Sequence, residues 1–203
     1  MSKGLRNRLD QILPRVTDPA FLRGDGIGNE IGCYIFDYPA SEELIVRDHV
    51  QWMLGRLESD HRDLRVLHLD LFEVVLDYLE RRGLLEKSLK MDSEKGSAAV
   101  LKALRGPLSA EKISDFIATE HSPAARDLLV MTGMGRVWPM LRAHTLLNCL
   151  HPVIGNVPLV MFYPGSFDGT TLRLFRQIDS TVSEPGKKPY YRAFILVPNE
   201  ADS

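Results

Sequence analysis

Hydrophobic and polar positions follow two different periods along the chain, and residues 127–165 show both most clearly. Two continuous apolar runs, each ending near a glycine, flank a segment at 137–154 whose apolar residues recur every three or four positions. This pattern predicts two buried parallel strands joined by a crossover helix. Ligands of parallel sheets bind at the carboxyl ends of the strands, which here predicts a site at 132–136 and 163–168.

The same reading extends to the rest of the chain and predicts an α/β fold. Residues 86–120 are polar, favour helix and are interrupted at Gly106-Pro107, so we expect a helical insertion of two or three helices there. The whole is predicted to be one three-layer α/β domain, 1–203, with a mainly parallel sheet of about five strands and flanking helices. Further strands are predicted at 32–38, 64–71 and 190–197, and further helices at 5–22 (two short ones), 41–60, 72–85 and 170–177.

The amino-acid composition and net charge exclude some classes of function. The chain has 203 residues, of which 44% are hydrophobic and 26% charged, as in an ordinary globular domain. Its net charge of −2 argues against tight binding to nucleic acid or anionic lipid without a partner. Because no apolar stretch is long enough to span a membrane and the start lacks an apolar leader, we expect a cytoplasmic protein. Cys33 and Cys149 are isolated and are expected to be core residues.

The loop at 132–136 lies where a phosphate-binding loop would lie, between a strand and a helix. It lacks the Lys-Ser/Thr pair of a Walker loop, and Trp138 occupies the position of the third glycine of a dinucleotide fingerprint. A tight structural turn is therefore favoured over nucleotide binding, which stays open as an alternative. Trp138 and Leu146 are predicted to bury the crossover helix against the sheet.

Other groups that could carry chemistry have simpler structural explanations. His144 and His151 share a helix face but lack a carboxylate at ligand spacing, so no metal site is assigned. Asp37, Asp70 and Asp168 fall at predicted strand ends, where capping or turn roles are favoured over acid–base or cation-binding roles. No catalytic residue and no cofactor are assigned.

A series of short phrases spanning about 21–198 resembles the BrxB family of bacterial BREX phage-exclusion systems. Each phrase alone is weakly specific, but their order along the chain is specific. They are Gly-Ile-Gly-Asn-Glu-Ile at 26–31, Tyr-Ile-Phe-Asp-Tyr-Pro at 34–39, Arg-Gly-Leu-Leu-Glu at 82–86, Thr-Gly-Met-Gly at 132–135, Leu-Arg-Ala-His-Thr-Leu-Leu-Asn at 141–148, Phe-Tyr-Pro-Gly at 162–165, Leu-Arg-Leu-Phe at 172–175 and Tyr-Arg-Ala-Phe at 191–194.

The resemblance implies a small core component of a defence system that also contains an adenine methyltransferase, a large ATPase and the alkaline-phosphatase-like protein PglZ. It further implies a non-enzymatic adaptor that binds PglZ and other BREX components. Loops on a rigid sheet commonly carry binding groups, so Arg136, Arg142, Asp168 and Arg173 are the predicted partner contacts. The alternative is a degenerate nucleotide-binding or hydrolytic α/β domain that uses the loop 132–136.

Overall fold

The computed structural model describes residues 3–24, 32–175 and 193–199. The strands are β1 (Cys33–Tyr38), β2 (Val66–Asp70), β3 (Leu128–Thr132), β4 (Leu159–Phe167), β5 (Leu172–Leu174) and β6 (Ala193–Ile195). They form one sheet in the order β2-β3-β4-β1-β6, in which every neighbouring pair is parallel, and β5 pairs with β4 in the antiparallel direction. The prediction of a mainly parallel α/β sheet is confirmed.

Helices cover both faces of this sheet and complete three layers. The helices are α1 (Lys3–Asp10), α2 (Ile12–Val16), α3 (Pro19–Arg23), α4 (Glu43–Asp60), α5 (Leu71–Arg81), α6 (Leu85–Lys95), α7 (Ser97–Leu104), α8 (Ala110–His121), α9 (Met134–Val137) and α10 (Ala143–Ile154), with 3-10 turns at Ala40–Glu42 and Pro123–Ala125. One face of the sheet packs against α1, α2 and α4, and the other against α5, α8 and α10. Side chains alternate between the faces, so Phe36 enters the first core and Ile35 the second.

The order of the strands brings several loops together at the carboxyl end of the sheet. After β1 the chain crosses the first face through α4 to reach β2, three positions away, and then returns through β3 to β4 along the second face. The chain leaves β1 toward the first face and β3 toward the second, and β4 lies between these two strands. The loops after β1, β2 and β3 border one opening beside β4.

The predicted helix at 137–154 is interrupted, and this changes the environment of Trp138. Helix α9 ends at Val137, the backbone of Trp138 is extended (φ −71°, ψ 140°), and α10 begins only at Ala143. Pro139 is the physical reason, because a residue that precedes proline is disfavoured in the helical conformation. Trp138 is 39% exposed, so the prediction of a buried ring is wrong, whereas the buried Leu146 is confirmed.

The segment predicted as a helix at 170–177 begins instead with the strand β5. Asp168 accepts the backbone N–H groups of Thr170 and Thr171, and Gly169 has a φ of +86°. An Asp-Gly pair of this kind turns the chain back on itself, so β4 and β5 form a hairpin. Residues 176–177 and the predicted loop 180–189 lie outside the described residues.

The amino-terminal segment and the helical insertion also differ in detail from the prediction. Three short helices replace the two expected at 5–22, because Pro14 is accommodated in α2 and Pro19 begins α3. The insertion contains α6, α7 and α8, of which α8 contributes Ile113 and Ile117 to the core while α6 buries no residue. Within the described ranges, none of the helices combines the length and apolar content that crossing a membrane requires.

Candidate functional site at the carboxyl end of the sheet

The loop after β3 is shaped by close contacts within the protein. Gly133 has a φ of +79°, and a Cβ at this position would lie 2.5 Å from Oδ1 of Asp70 and 3.2 Å from the backbone nitrogen of Leu71. A Cβ on Gly135 would lie 2.9 Å from the ring of Pro164 and 3.2 Å from that of Phe175. Both glycines therefore permit close packing, as the structural turn predicted for 132–136 requires.

Contacts of Arg136 connect the loop after β3 to the end of β2 and the start of α5. Its guanidinium forms an ion pair with Asp70, lies 3.9 Å from Glu73 Oε1, and sits 4.9 Å above the ring of Phe72. Asp70 also accepts the backbone N–H of Phe72 and so caps the start of α5. Arg136 is thus a partly exposed residue with extensive intramolecular contacts, and the carboxylate of Asp70 lies at the loop where an anion would bind.

A cavity of about 140 Å³ lies between this loop and the start of α4. The hydroxyl of Tyr38 donates to Glu43 at 2.6 Å, and Glu43 in turn pairs with Arg47 at 3.1 Å. Burial raises the pKa of Tyr38, and the adjacent carboxylate of Glu43 raises it further. The phenol therefore stays protonated and acts as a hydrogen-bond donor. Val46 and Phe162 supply apolar lining.

His68 and Thr132 form a second polar pair beside the loop. The Nε2 atom of His68 and the hydroxyl of Thr132 share a hydrogen bond of 2.9 Å. Burial lowers the pKa of His68, and the nearby carboxylate of Asp70 offsets part of this effect. The neutral imidazole is therefore favoured at neutral pH. A neutral histidine next to a hydroxyl can accept or donate the hydrogen bond, depending on its tautomer.

The three strand-end aspartates do not converge. Asp37 is buried and pairs at 2.7 Å with the buried Arg8, and its second oxygen accepts the backbone N–H of Phe167. Asp70 caps α5 and pairs with Arg136, as described above. Asp168 closes the β4–β5 hairpin. The capping and turn roles favoured from the sequence agree with the contacts of Asp70 and Asp168, whereas Asp37 instead forms a buried ion pair within β1. The described residues contain no group of three metal-ligating side chains.

Asp168 and Arg173 face each other across the hairpin at 2.8 Å, with side chains 42% and 37% exposed. Although burial raises the pKa of Asp168, the backbone N–H groups of Thr171 and Thr170 and the guanidinium of Arg173 outweigh it, and the pKa is lowered. Arg142 precedes α10, and its carbonyl accepts the backbone N–H of Leu146. The hairpin residues and the arginines after β3 therefore lie at the same end of the sheet, but in separate local contacts.

An exposed pair of aromatic rings connects the β4–β5 hairpin with the segment after β3. The rings of Trp138 and Phe175 meet edge to face, with centroids 6.2 Å apart, and are 39% and 40% exposed. Neither residue was among the predicted contacts. The Trp138-Pro139 dipeptide was the available signal, because it predicts an extended residue rather than a helical one. We call Arg136, Trp138, Arg142, Asp168, Arg173 and Phe175 the carboxyl-end surface.

Comparison with known proteins agrees with the sequence phrases. The family model described as BREX protein BrxB matches residues 67–196. A relative named BREX protein BrxB from Escherichia coli O9:H4 (strain HS) is 43% identical over 195 residues, covering 96% of this chain and 92% of the relative. Another of the same name from Bacillus cereus (strain H3081.97) is 42% identical over 195 residues, covering 95% and 97%. No solved structure matches significantly. The chain therefore belongs to the BrxB family and is a component of a BREX phage-exclusion system, with other BREX components as its partners.

Proposed function

We propose that the chain is a non-enzymatic adaptor of its BREX system, and that it binds the alkaline-phosphatase-like PglZ component through the carboxyl-end surface. The observation that carries the proposal is the pairing of Arg136 with Asp70. In a parallel sheet, this loop is where a phosphate would bind, but here a carboxylate of the protein itself lies against Gly133. A second anion there would be repelled, so small-molecule phosphate chemistry is disfavoured.

The composition of the carboxyl-end surface supports protein association. Trp138 and Phe175 expose aromatic area on the same surface as the three arginines. Tryptophan and arginine are enriched among residues that dominate binding energy, and a polar rim around an aromatic centre is common in interfaces. Arg173 is held over the hairpin by Asp168, so its position is partly fixed before a partner arrives.

The test compares binding with folding in alanine variants. Arg173→Ala and Arg142→Ala are expected to weaken co-purification with PglZ and phage restriction. The melting temperature should hardly change in Arg173→Ala, because the exposed pair with Asp168 contributes only about 0–1 kcal/mol. Arg142 is half-buried, so the binding of Arg142→Ala is measured on protein shown to be folded. Arg136→Ala also removes the contact with Asp70, so its binding is measured on folded protein at a temperature below its unfolding transition.

The matched control is Arg81→Ala, which removes another exposed, ion-paired arginine. Arg81 pairs with Asp77 and Glu120 at the far end of α5, away from the carboxyl-end surface. This variant is expected to keep both PglZ and restriction. If the variants of Arg136, Arg142 and Arg173 all stay folded, keep PglZ and restrict phage normally, the proposed surface is wrong, and the helical insertion at 86–120 becomes the next candidate.

The second candidate is a degenerate nucleotide-binding or hydrolytic domain that uses the loop 132–136. The positions of the cavity and of the His68–Thr132 hydrogen bond favour it, because both lie near the strand ends where ligands of parallel sheets bind. Calorimetry with magnesium and ATP or GTP at about millimolar concentration separates the two functions. The adaptor proposal expects no saturable heat, whereas saturable binding with a micromolar dissociation constant would favour the second candidate.

A further inference from the structure

Strand β2 forms an open edge of the sheet. Within the described ranges it pairs with β3 alone, and only Leu69 of its five residues is fully buried, whereas all six residues of β1 are. The carbonyl of Arg65 accepts the backbone N–H of Asp127, which directs Arg65 toward β3. Because backbone groups alternate in direction along a strand, Leu67 and Leu69 face β3 as well. His68, between them, directs its backbone N–H and C=O outward.

A groove of about 800 Å³ runs beside this edge, between β2 and the second half of α4. The groove has an apolar lining, formed by Leu54, Leu57, Leu64 and Val66. It continues the boundary between the first helical layer and the sheet past β2, the strand at the edge. A further strand beside β2 would place every second side chain in this groove. The edge and the groove are thus two parts of one extended surface.

We propose that β2 receives an extended segment of a partner protein, which adds a strand to the sheet and places alternate apolar side chains in the groove. Unpaired backbone donors and acceptors in a row recognise an extended polypeptide, and side-chain pockets at every second position give specificity. In the polar lining of the groove, the guanidinium of Arg62 is offset by the carboxylate of Glu58, and His68 is favoured in its neutral form. The segment is therefore expected to be apolar and uncharged at the positions that enter the groove.

A second copy of this chain fits the edge less well than a partner segment does. In the antiparallel register that pairs the whole of β2 with itself, His68 lies opposite His68, and Val66 lies opposite Asp70. Such pairing sets a carboxylate that already binds Arg136 against an apolar side chain. An unrelated segment has no such restriction, because its residues can match each position of β2.

Hydrogen exchange tests the backbone part of the inference, with and without each purified BREX component. On binding, the amides of His68 and Asp70 are expected to exchange at least about tenfold more slowly, since their N–H groups face away from β3 and new strand bonds must open before exchange occurs. Gly55→Phe tests the groove. Gly55 lies on the exposed face of α4, lines the groove, and has open space where a Cβ would be. This variant is expected to fold normally and to bind at least about tenfold more weakly.

The control is Gly4→Phe in α1, where a Cβ also meets open space but no groove is present. Sedimentation of the isolated chain tests for self-pairing. The inference is overturned if a component binds without slowing exchange at His68 and Asp70, or if Gly55→Phe binds as well as Gly4→Phe. It is also overturned if no component binds, or if the edge is protected only by dimerisation. This inference does not depend on the carboxyl-end surface: variants of Arg142 and Arg173 test that surface, so either proposal can fail while the other stands.

Discussion

Replacement of Arg8 by methionine is expected to destabilise the protein strongly, because Arg8 joins three parts of the fold. Only 4% exposed, it donates at 2.7 Å to the carboxylate of Asp37 and at 2.8 Å to the carbonyl of the same residue. It also donates two hydrogen bonds, of 3.1 and 2.9 Å, to the carbonyl of Val197 after β6. The guanidinium lies 4.6 Å from the centre of the Phe36 ring.

The expected magnitude follows from what Arg8→Met leaves behind. Methionine fills part of the volume, but the buried carboxylate of Asp37 loses its cation, and the carbonyl of Val197 loses its donor. Removing one member of a buried ion pair costs about 3–5 kcal/mol, since the other charge stays buried without compensation. For a chain of this size, this corresponds to a fall of about 6–20 °C in melting temperature.

Urea unfolding followed by circular dichroism measures the free energy directly, with the m-value as a check on two-state behaviour. Arg56→Met is the control, because Arg56 forms an exposed pair with Asp60 one helical turn away, and its loss should cost only about 0–1 kcal/mol. The double variant Arg8→Met/Asp37→Asn should lose at least about 1 kcal/mol less than the sum of the single changes. A loss of less than about 1 kcal/mol for Arg8→Met would refute the reasoning.

Two further changes test the core and the His68 site. Leu146→Ala should cost about 2–5 kcal/mol in urea unfolding, and Trp138→Ala distinctly less, because Leu146 is fully buried whereas Trp138 is 39% exposed; equal losses would contradict this order. The pKa of His68 is below its ordinary value of 6.5, so the unfolded chain binds the proton more readily, and stability is lost as the pH falls below that value. As the pH falls from about 7.5 to 5, His68→Gln should therefore lose less stability than the parent protein. Burial also lowers the pKa of His49, but His49 is present in both proteins, so its titration cancels in the comparison.

The strands could be predicted from sequence because their burial is continuous. Every residue of β1 is buried, as are four of the five in β3, and such uninterrupted apolar runs occur in sheets covered on both faces. The break at Trp138 was missed because the apolar spacing continues through it, and the local effect of Pro139 overrides that spacing. The β4–β5 hairpin was missed because β5 is too short to show alternation, although Asp168-Gly169 was a turn signal.

The contacts of the site depend on strand order, which a single sequence does not supply. Asp70 and Arg136 are 66 positions apart and meet only because β2 lies beside β3. The sequence placed both residues at strand ends, but it gave no reason to pair them. The burial of Arg8 likewise depends on tertiary structure, because it follows from the position of α1 over the ends of β1 and β6.

The last prediction concerns Phe175, whose backbone is in the left-handed region at a φ of +52°. That conformation costs a residue with a Cβ about 1–2 kcal/mol. Its N–H donates to the carbonyl of Pro164 at 3.0 Å, and its ring rests on Trp138 and above Gly135. Strained residues that the surrounding structure holds in place occur often at binding sites, so the strain supports a role of the exposed ring in contacting PglZ.

Phe175→Ala and Phe175→Gly separate the ring from the backbone. Both remove the aromatic contact, but glycine alone adopts the left-handed conformation without strain, so the glycine variant should be more stable than the alanine variant by about 1 kcal/mol. Binding should not follow this order: if the ring contacts PglZ, both variants should lose affinity equally. Equal stability would show that the backbone is not strained. Full affinity in both variants would show that the ring contributes no binding energy to the contact with PglZ, because truncation of an aromatic residue that dominates an interface weakens binding.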